Sequence, residues 1–139
     1  MVRKINDFSK EELIVFKKLY LSKNYEYEVS LENINNTCVK FLQLGYNKEQ
    51  IIKIITKNLN IFTVTTDNID KKINDLIEMG YNRDDLYKMI YYFPKIFSYS
   101  INNIRKKVDY IISFGYSFSD VIKMTMIEPS IFGHSVSDL

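Results

Sequence analysis

The chain has 139 residues, long enough to bury a core without disulfide or metal staples, so one domain is expected. Hydrophobic residues at 46% and charged residues at 26% suit a globular protein and exclude a disordered one. A formal charge of +2 decides nothing about nucleic acid by its total, so any such case rests on where the cations sit. The single cysteine, Cys38, excludes an intramolecular disulfide and a thiol-based zinc cluster. Apolar runs stay far short of the ~20 residues that span a bilayer, so no membrane partner is expected.

The N-terminal stretch from Met1 to Asp7 lacks the apolar core of a signal peptide and the Arg/Ser-rich character of a transit peptide. A cytoplasmic location in a bacterial or phage-encoded setting is expected, or an organelle if a presequence has been removed. The next segment, Phe8 to about Tyr20, reads as a helix opened by Ser9 with Glu12 three residues on, a capping box. It is expected to be an N-terminal cap over residues 1–29, displaced from the later pattern by a three-residue insertion before Val29.

From residue 30 the chain is periodic. Gly45-Tyr46, Gly80-Tyr81 and Gly115-Tyr116 stand 35 residues apart, and the same offset links Asn33-Ile34, Asn68-Ile69 and Asn103-Ile104. It also links Ile61-Phe62, Ile96-Phe97 and Ile131-Phe132, and the aliphatics Leu42, Ile77 and Ile112. Repeats are expected over 30–64, 65–99 and 100–134, with 135–139 beginning a truncated fourth.

Each unit reads as two helices. The first runs from about Leu31 to Leu44, with Ile34, Cys38, Phe41 and Leu42 on one stripe, and its counterparts start near Asp67 and Asn102. The glycine supplies a left-handed residue that closes this helix, and the tyrosine packs back on its last turn. Cys38 stands at the place of Ile73 and Val108 and is expected in the core.

The second helix opens on Asn47, Asn82 or Ser117, with Gln50, Asp85 or Asp120 three residues later, a capping-box spacing. Its apolar positions are Ile51, Ile52, Ile54 and Ile55, then Leu86, Tyr87, Met89 and Ile90, then Val121, Ile122, Met124 and Thr125. Pro94 and Pro129 stop it; the first unit has Leu59 there, which leaves that helix end open. The fold class expected is all-α, a right- or left-handed α-solenoid of about three two-helix repeats.

Tetratricopeptide and pentatricopeptide repeats share the length but need alanine at their helix contacts, and this chain has none. The pattern resembles instead the mitochondrial transcription termination factor (mTERF) family. That family's repeat reads Leu-Gly-Phe-Ser, then Ile, a Leu pair, Arg, and Pro followed by Leu-Leu. Met79-Gly80-Tyr81-Asn82, Leu86, Met89-Ile90, Phe93-Pro94 and Ile96-Phe97 match it, as do Phe114-Gly115-Tyr116-Ser117, Val121, Met124, Pro129 and Ile131-Phe132. Leu44-Gly45-Tyr46-Asn47 to Ile61-Phe62 matches without the proline. The resemblance implies stacked helix pairs with short 3₁₀ connectors and a concave basic side that holds double-stranded DNA or RNA. The family's basic residue before the proline step corresponds here to Lys57, Tyr92 and Ile127.

Lys53, Lys88 and Lys123 recur at the repeat offset, and simple subtraction extends the row to Lys18. Ammonium groups spaced by one repeat can follow a phosphate backbone, though position 53 is also the polar gap in an apolar helix where lysine serves well. Lys71-Lys72 and Arg105-Lys106-Lys107 form a second basic cluster in the first helices. Tyr91, Tyr92 and Tyr99 are candidates for base stacking or a protein interface, against the plainer reading as inter-repeat core.

Catalysis has little support: His134 is the only histidine, and no phosphate loop or nucleophile elbow occurs. Asp84-Asp85 and Glu11-Glu12 fall in first turns, where carboxylates complement the helix dipole. The expectation is a non-enzymatic nucleic-acid-binding module without metal, cofactor or small-molecule substrate, acting in transcription. The alternative is a protein-interaction module, such as an accessory or inhibitor protein of a phage or mobile element.

Overall fold

The computed structural model describes residues 8–23 and 27–135. Among these, seven α-helices and three 3₁₀ segments occur and no strand. After α1 (Lys10–Leu21) come α2 (Leu31–Gln43), α3 (Lys48–Lys57) and a connector over Leu59–Thr63. Then follow α4 (Thr66–Met79), α5 (Arg83–Tyr92) and a connector over Pro94–Ser98, and finally α6 (Ile101–Ile112), α7 (Phe118–Ile127) and a connector over Pro129–Gly133. Every element of the helix, helix, connector series starts 35 residues after its predecessor of the same kind. The start of the fourth unit, at 136–139, lies outside the described residues.

The turn that joins the two helices of a unit follows from backbone bonding. Gly45, Gly80 and Gly115 have φ of 105°, 124° and 99°, a region that L side chains resist. At the first turn Tyr46 N–H donates to the Phe41 carbonyl and Gly45 N–H to the Leu42 carbonyl, the paired bonds of a Schellman closure. Tyr81 and Gly80 repeat this with Leu76 and Ile77. Tyr46 is buried edge-on against Phe41 at 5.9 Å between centroids. Tyr116, in contrast, is exposed.

The next residue caps the second helix. Asn47, Asn82 and Ser117 accept from the backbone N–H groups of Gln50, Asp85 and Asp120. The Gln50 side chain in turn accepts from Asn47 N–H at 2.9 Å, as Glu12 does from Ser9 N–H at 2.8 Å. The two aspartates are shorter by one methylene, and only the forward bond is found with them. The end of α3, left open by the sequence, is settled by the backbone. Asn58 takes φ −149° and ψ 75°, close to Phe93 and Glu128 before their prolines, so the helix stops at the same register without proline.

The chain forms two compact units, Met1–Ile69 and Asp70–Leu139. In the first, α1 packs on α2 and on the connector Leu59–Thr63. Phe16 is the centre of its aromatic core, 5.5 Å from Phe8 and 6.0 Å from Phe62, with Tyr20 6.4 Å from Phe62. Lys48 bridges to Glu12 at 2.8 Å and lies over the Phe8 ring, which ties α3 to α1. That hydrogen bond to Lys48 is the main cause that holds the Glu12 carboxyl below its usual range.

In the second unit, Tyr81 Oη and Thr125 Oγ1 are 2.5 Å apart in a buried contact between the α4–α5 turn and α7. Burial raises the Tyr81 phenol, and the Thr125 bond offsets part of that rise. Gly80 meets the same helix: a Cβ built there would stand 2.5 Å from Phe118 Cε1 and 3.2 Å from Ile122 Cδ1. The buried stripe of α3 is Ile51, Ile54 and Ile55, with Ile52 exposed on its flank, because 100° per residue carries position 52 off the stripe.

Cys38 is fully buried, as expected of a core residue, and burial pushes its thiol up from 9.0 to about 12, with a smaller contribution from Glu12. An acid whose folded pKa is raised costs stability once the unfolded chain ionises. Between pH 8 and 10 wild type should therefore lose about 1.4 kcal/mol more than Cys38→Val, read from urea midpoints. The two later glycines give a second comparison. A methyl added at Gly115 would meet no atom within 4 Å, so Gly115→Ala should cost only the backbone term, about 1–2 kcal/mol. Gly80→Ala should cost about 1–3 kcal/mol more, from the clash with Phe118.

Candidate nucleic-acid interface

The basic residues divide by what their side chains do. Lys53 in α3, Lys88 in α5 and Lys123 in α7 are exposed, each six residues past its N-cap. That register lies opposite the buried stripe, so the helix presents the ammonium to solvent by its own geometry. Lys57 closes α3 and is exposed too, where a cation complements the helix C-terminus.

Lys18 does not continue this row. The N-cap of α1 is Ser9, 38 residues before Asn47, because the three-residue insertion falls between them. The residue of α1 at the register of Lys53 is Val15, and Lys18 falls at the register of Thr56. Subtracting the repeat length ignores the insertion that the sequence itself announces. Lys18 is exposed on α1 all the same.

The second cluster separates into surface and interior. Lys71, Arg105 and Lys106 are exposed. Lys72 is half-buried and donates to the Tyr99 carbonyl. Lys107 is only 8% exposed, donates to the Phe132 carbonyl and sits 5.3 Å from the centroid of the Tyr99 ring. Burial is the main cause that lowers the Lys72 ammonium from its ordinary value, with Asp75 opposing it. These two lysines fasten a first helix to the connector that follows, and their ammonium groups are engaged inside the fold. The signal is present in the sequence as a column, Thr37, Lys72 and Lys107, but adjacency to Lys71 and Lys106 makes both look like members of a surface cluster.

The tyrosines divide in the same way. Tyr99 stacks on Phe93 at 6.1 Å and 15°, receives Lys72 on its carbonyl and Lys107 over its ring, and so belongs to the packing of the second unit. Tyr91 is half-buried and meets Tyr92 edge-on at 5.0 Å. Tyr92, 68% exposed, is the one of the three with a ring open to a ligand. His134 is exposed, and no group of three His, Cys, Asp or Glu side chains suited to a metal occurs among the described residues. No helix there is long and apolar enough to cross a membrane.

A three-fold recurrence of helix, capped turn, helix and 3₁₀ connector defines an all-helical repeat protein and fits the α-solenoid class. The particular family is mTERF: its model matches residues 10–139, and the chain belongs to it. The match takes in α1, which lies outside the repeat motifs. No curated protein matches the sequence significantly. Membership places the chain among helical-repeat proteins of a nucleic-acid-binding kind.

Removing a tether should act on stability where removing a surface cation does not. Lys107→Met should cost about 2–3 kcal/mol, since the Phe132 carbonyl loses a charged donor. Arg105→Ala and Lys106→Ala should each stay within about 0.5 kcal/mol. Urea denaturation of the three variants checks the contrast.

Proposed function

We propose that this protein is a non-enzymatic nucleic-acid-binding module that holds the phosphate backbone of duplex DNA or RNA and acts in transcription, with its repeats working as one domain. The observation that carries the reading is the lysine exposed at one register of all three second helices: Lys53, Lys88 and Lys123. Lys57, Lys71, Arg105 and Lys106 add exposed charge, Lys18 adds one cation outside the row, and Tyr92 offers a ring. Family membership supports the ligand class. The setting proposed is the bacterial or phage-infected cytoplasm, or an organelle.

Backbone contacts release counterions, so affinity for a duplex should fall steeply with salt. The triple variant Lys53→Ala, Lys88→Ala, Lys123→Ala should bind more weakly and lower the log-log salt slope by roughly 2–3, about 0.9 per lost contact. A gel-shift titration in which wild type shows no association at low salt would sink the reading.

A second reading has its own observation. In the second unit Phe114, Tyr116 and Ile127 are 63%, 48% and 83% exposed, beside a cavity of about 420 Å³ lined by Ile111, Phe114, Tyr116, Met124 and Ile131. An apolar surface of this kind suits a protein partner. Copurification of a stoichiometric protein that is lost in Ile127→Asp, with little nucleic acid present, would favour it.

A further inference from the structure

The column that holds Lys72 and Lys107 holds Thr37 in the first repeat. Lys72 delivers its ammonium to the carbonyl of Tyr99, just past the connector Pro94–Ser98, and Lys107 delivers its own to Phe132 within Pro129–Gly133. The residues at those two positions in the first repeat are Val64 and Phe62. Thr37 brings no ammonium to them. Its hydroxyl turns back along α2 and donates to the Asn33 carbonyl at 3.1 Å.

Where a lysine chain would run, the first unit has a cavity of about 170 Å³. Thr37, Asn33 and Asn36 line it from α2, and Phe62, Val64 and Thr65 line it from the connector side. This is far more than the ~10–15 Å³ that one water needs. Its lining residues carry hydroxyl and amide groups, with Phe62 and Val64 as the apolar side chains and no carboxylate among them.

We propose that this cavity binds a primary alkylammonium group supplied from outside the chain, in the place that Lys72 and Lys107 fill from within. In the later repeats an ammonium on a four-carbon stem reaches this part of the framework, once at the register of Val64 and once at that of Phe62. An ammonium offers three donors to carbonyl, hydroxyl and amide oxygens, and its stem lies against Phe62. A phosphate fits less well at the nearby start of α4, because the Thr65 hydroxyl already accepts from Asn68 N–H at 3.2 Å. The source is either a free diamine or the lysine side chain of another molecule. The inference is independent of the nucleic-acid reading.

The test is thermal unfolding of the full chain with n-butylammonium chloride, against sodium chloride and tetramethylammonium chloride at equal ionic strength. At about 50 mM the butylammonium salt should raise Tm by about 2 °C over both controls. Thr37→Lys should abolish this response and itself melt above wild type. Thr37→Met fills the cavity with an apolar chain and should abolish it too, which serves if the lysine variant does not fold. Conversely, Lys72→Ala opens a matching space, and its lost stability should be partly restored by butylammonium. Putrescine and a blocked Gly-Lys-Gly peptide separate the sources: a shift with putrescine alone assigns a free amine, and a shift with the peptide assigns a side chain. No difference from the control salts, an undiminished response in Thr37→Met, or a Thr37-dependent shift with inorganic phosphate in place of the amine overturns the proposal.

Discussion

One reversal of the backbone governs this fold. A helix that ends only a few residues before another begins leaves carbonyls at its own end and amides at the next start without helical partners. The sequence Gly-Tyr followed by Asn or Ser satisfies part of each set within itself. Glycine at φ of 99° to 124° lets amides fold back on the last turn, two of them at Gly45-Tyr46 and Gly80-Tyr81, and the asparagine or serine side chain takes an amide of the following helix. The direction of the second helix is thereby fixed by local bonds, and Tyr46 and Tyr81 are delivered into the core, whereas Tyr116 stays at the surface. At Gly80 the absent side chain has a second use, since Phe118 occupies the space a methyl would need.

This locality explains what is legible in the sequence. The N-caps Asn47, Asn82 and Ser117 and the closing glycines act through bonds spanning a few residues, and each stands where its spacing puts it. The starts of α4 and α6, at Thr66 and Ile101, fall only one residue before the expected ones. What is not legible depends on residues distant in sequence. Whether Lys72 and Lys107 reach solvent is decided by carbonyls 25 to 27 residues away. Proline has a smaller part in ending the second helix than its position suggests: buried Asn58 reaches the same conformation in front of Leu59. The register of Lys18 is knowable from the sequence, because the cap at Ser9 records the insertion.

Lysine thus has two roles on one kind of scaffold. Lys107 is buried, yet its acceptor is a neutral carbonyl, so its charge is not cancelled by its partner. Such a cation adds to the field around the second unit without touching a phosphate. The field is screened over about 8 Å at physiological salt, so it helps encounter more than it holds a ligand. Under the proposed function, contacts that set a salt slope come from exposed cations, among them Lys88, Lys123, Lys71, Arg105 and Lys106 in this unit and Lys18, Lys53 and Lys57 in the first.

The columns of the repeat are of three kinds. Where a column is buried each time, as with Ile34, Ile69 and Ile104, packing alone accounts for its constancy. Where a column lies at the surface and varies, as with Lys57, Tyr92 and Ile127, the fold imposes nothing on it. The column of Lys53, Lys88 and Lys123 is exposed each time and constant. Helix propensity would accept glutamate, glutamine or arginine there at nearly equal cost, so stability does not demand three lysines. That surplus of constancy over what folding needs is what the proposed contact with a phosphate backbone rests on.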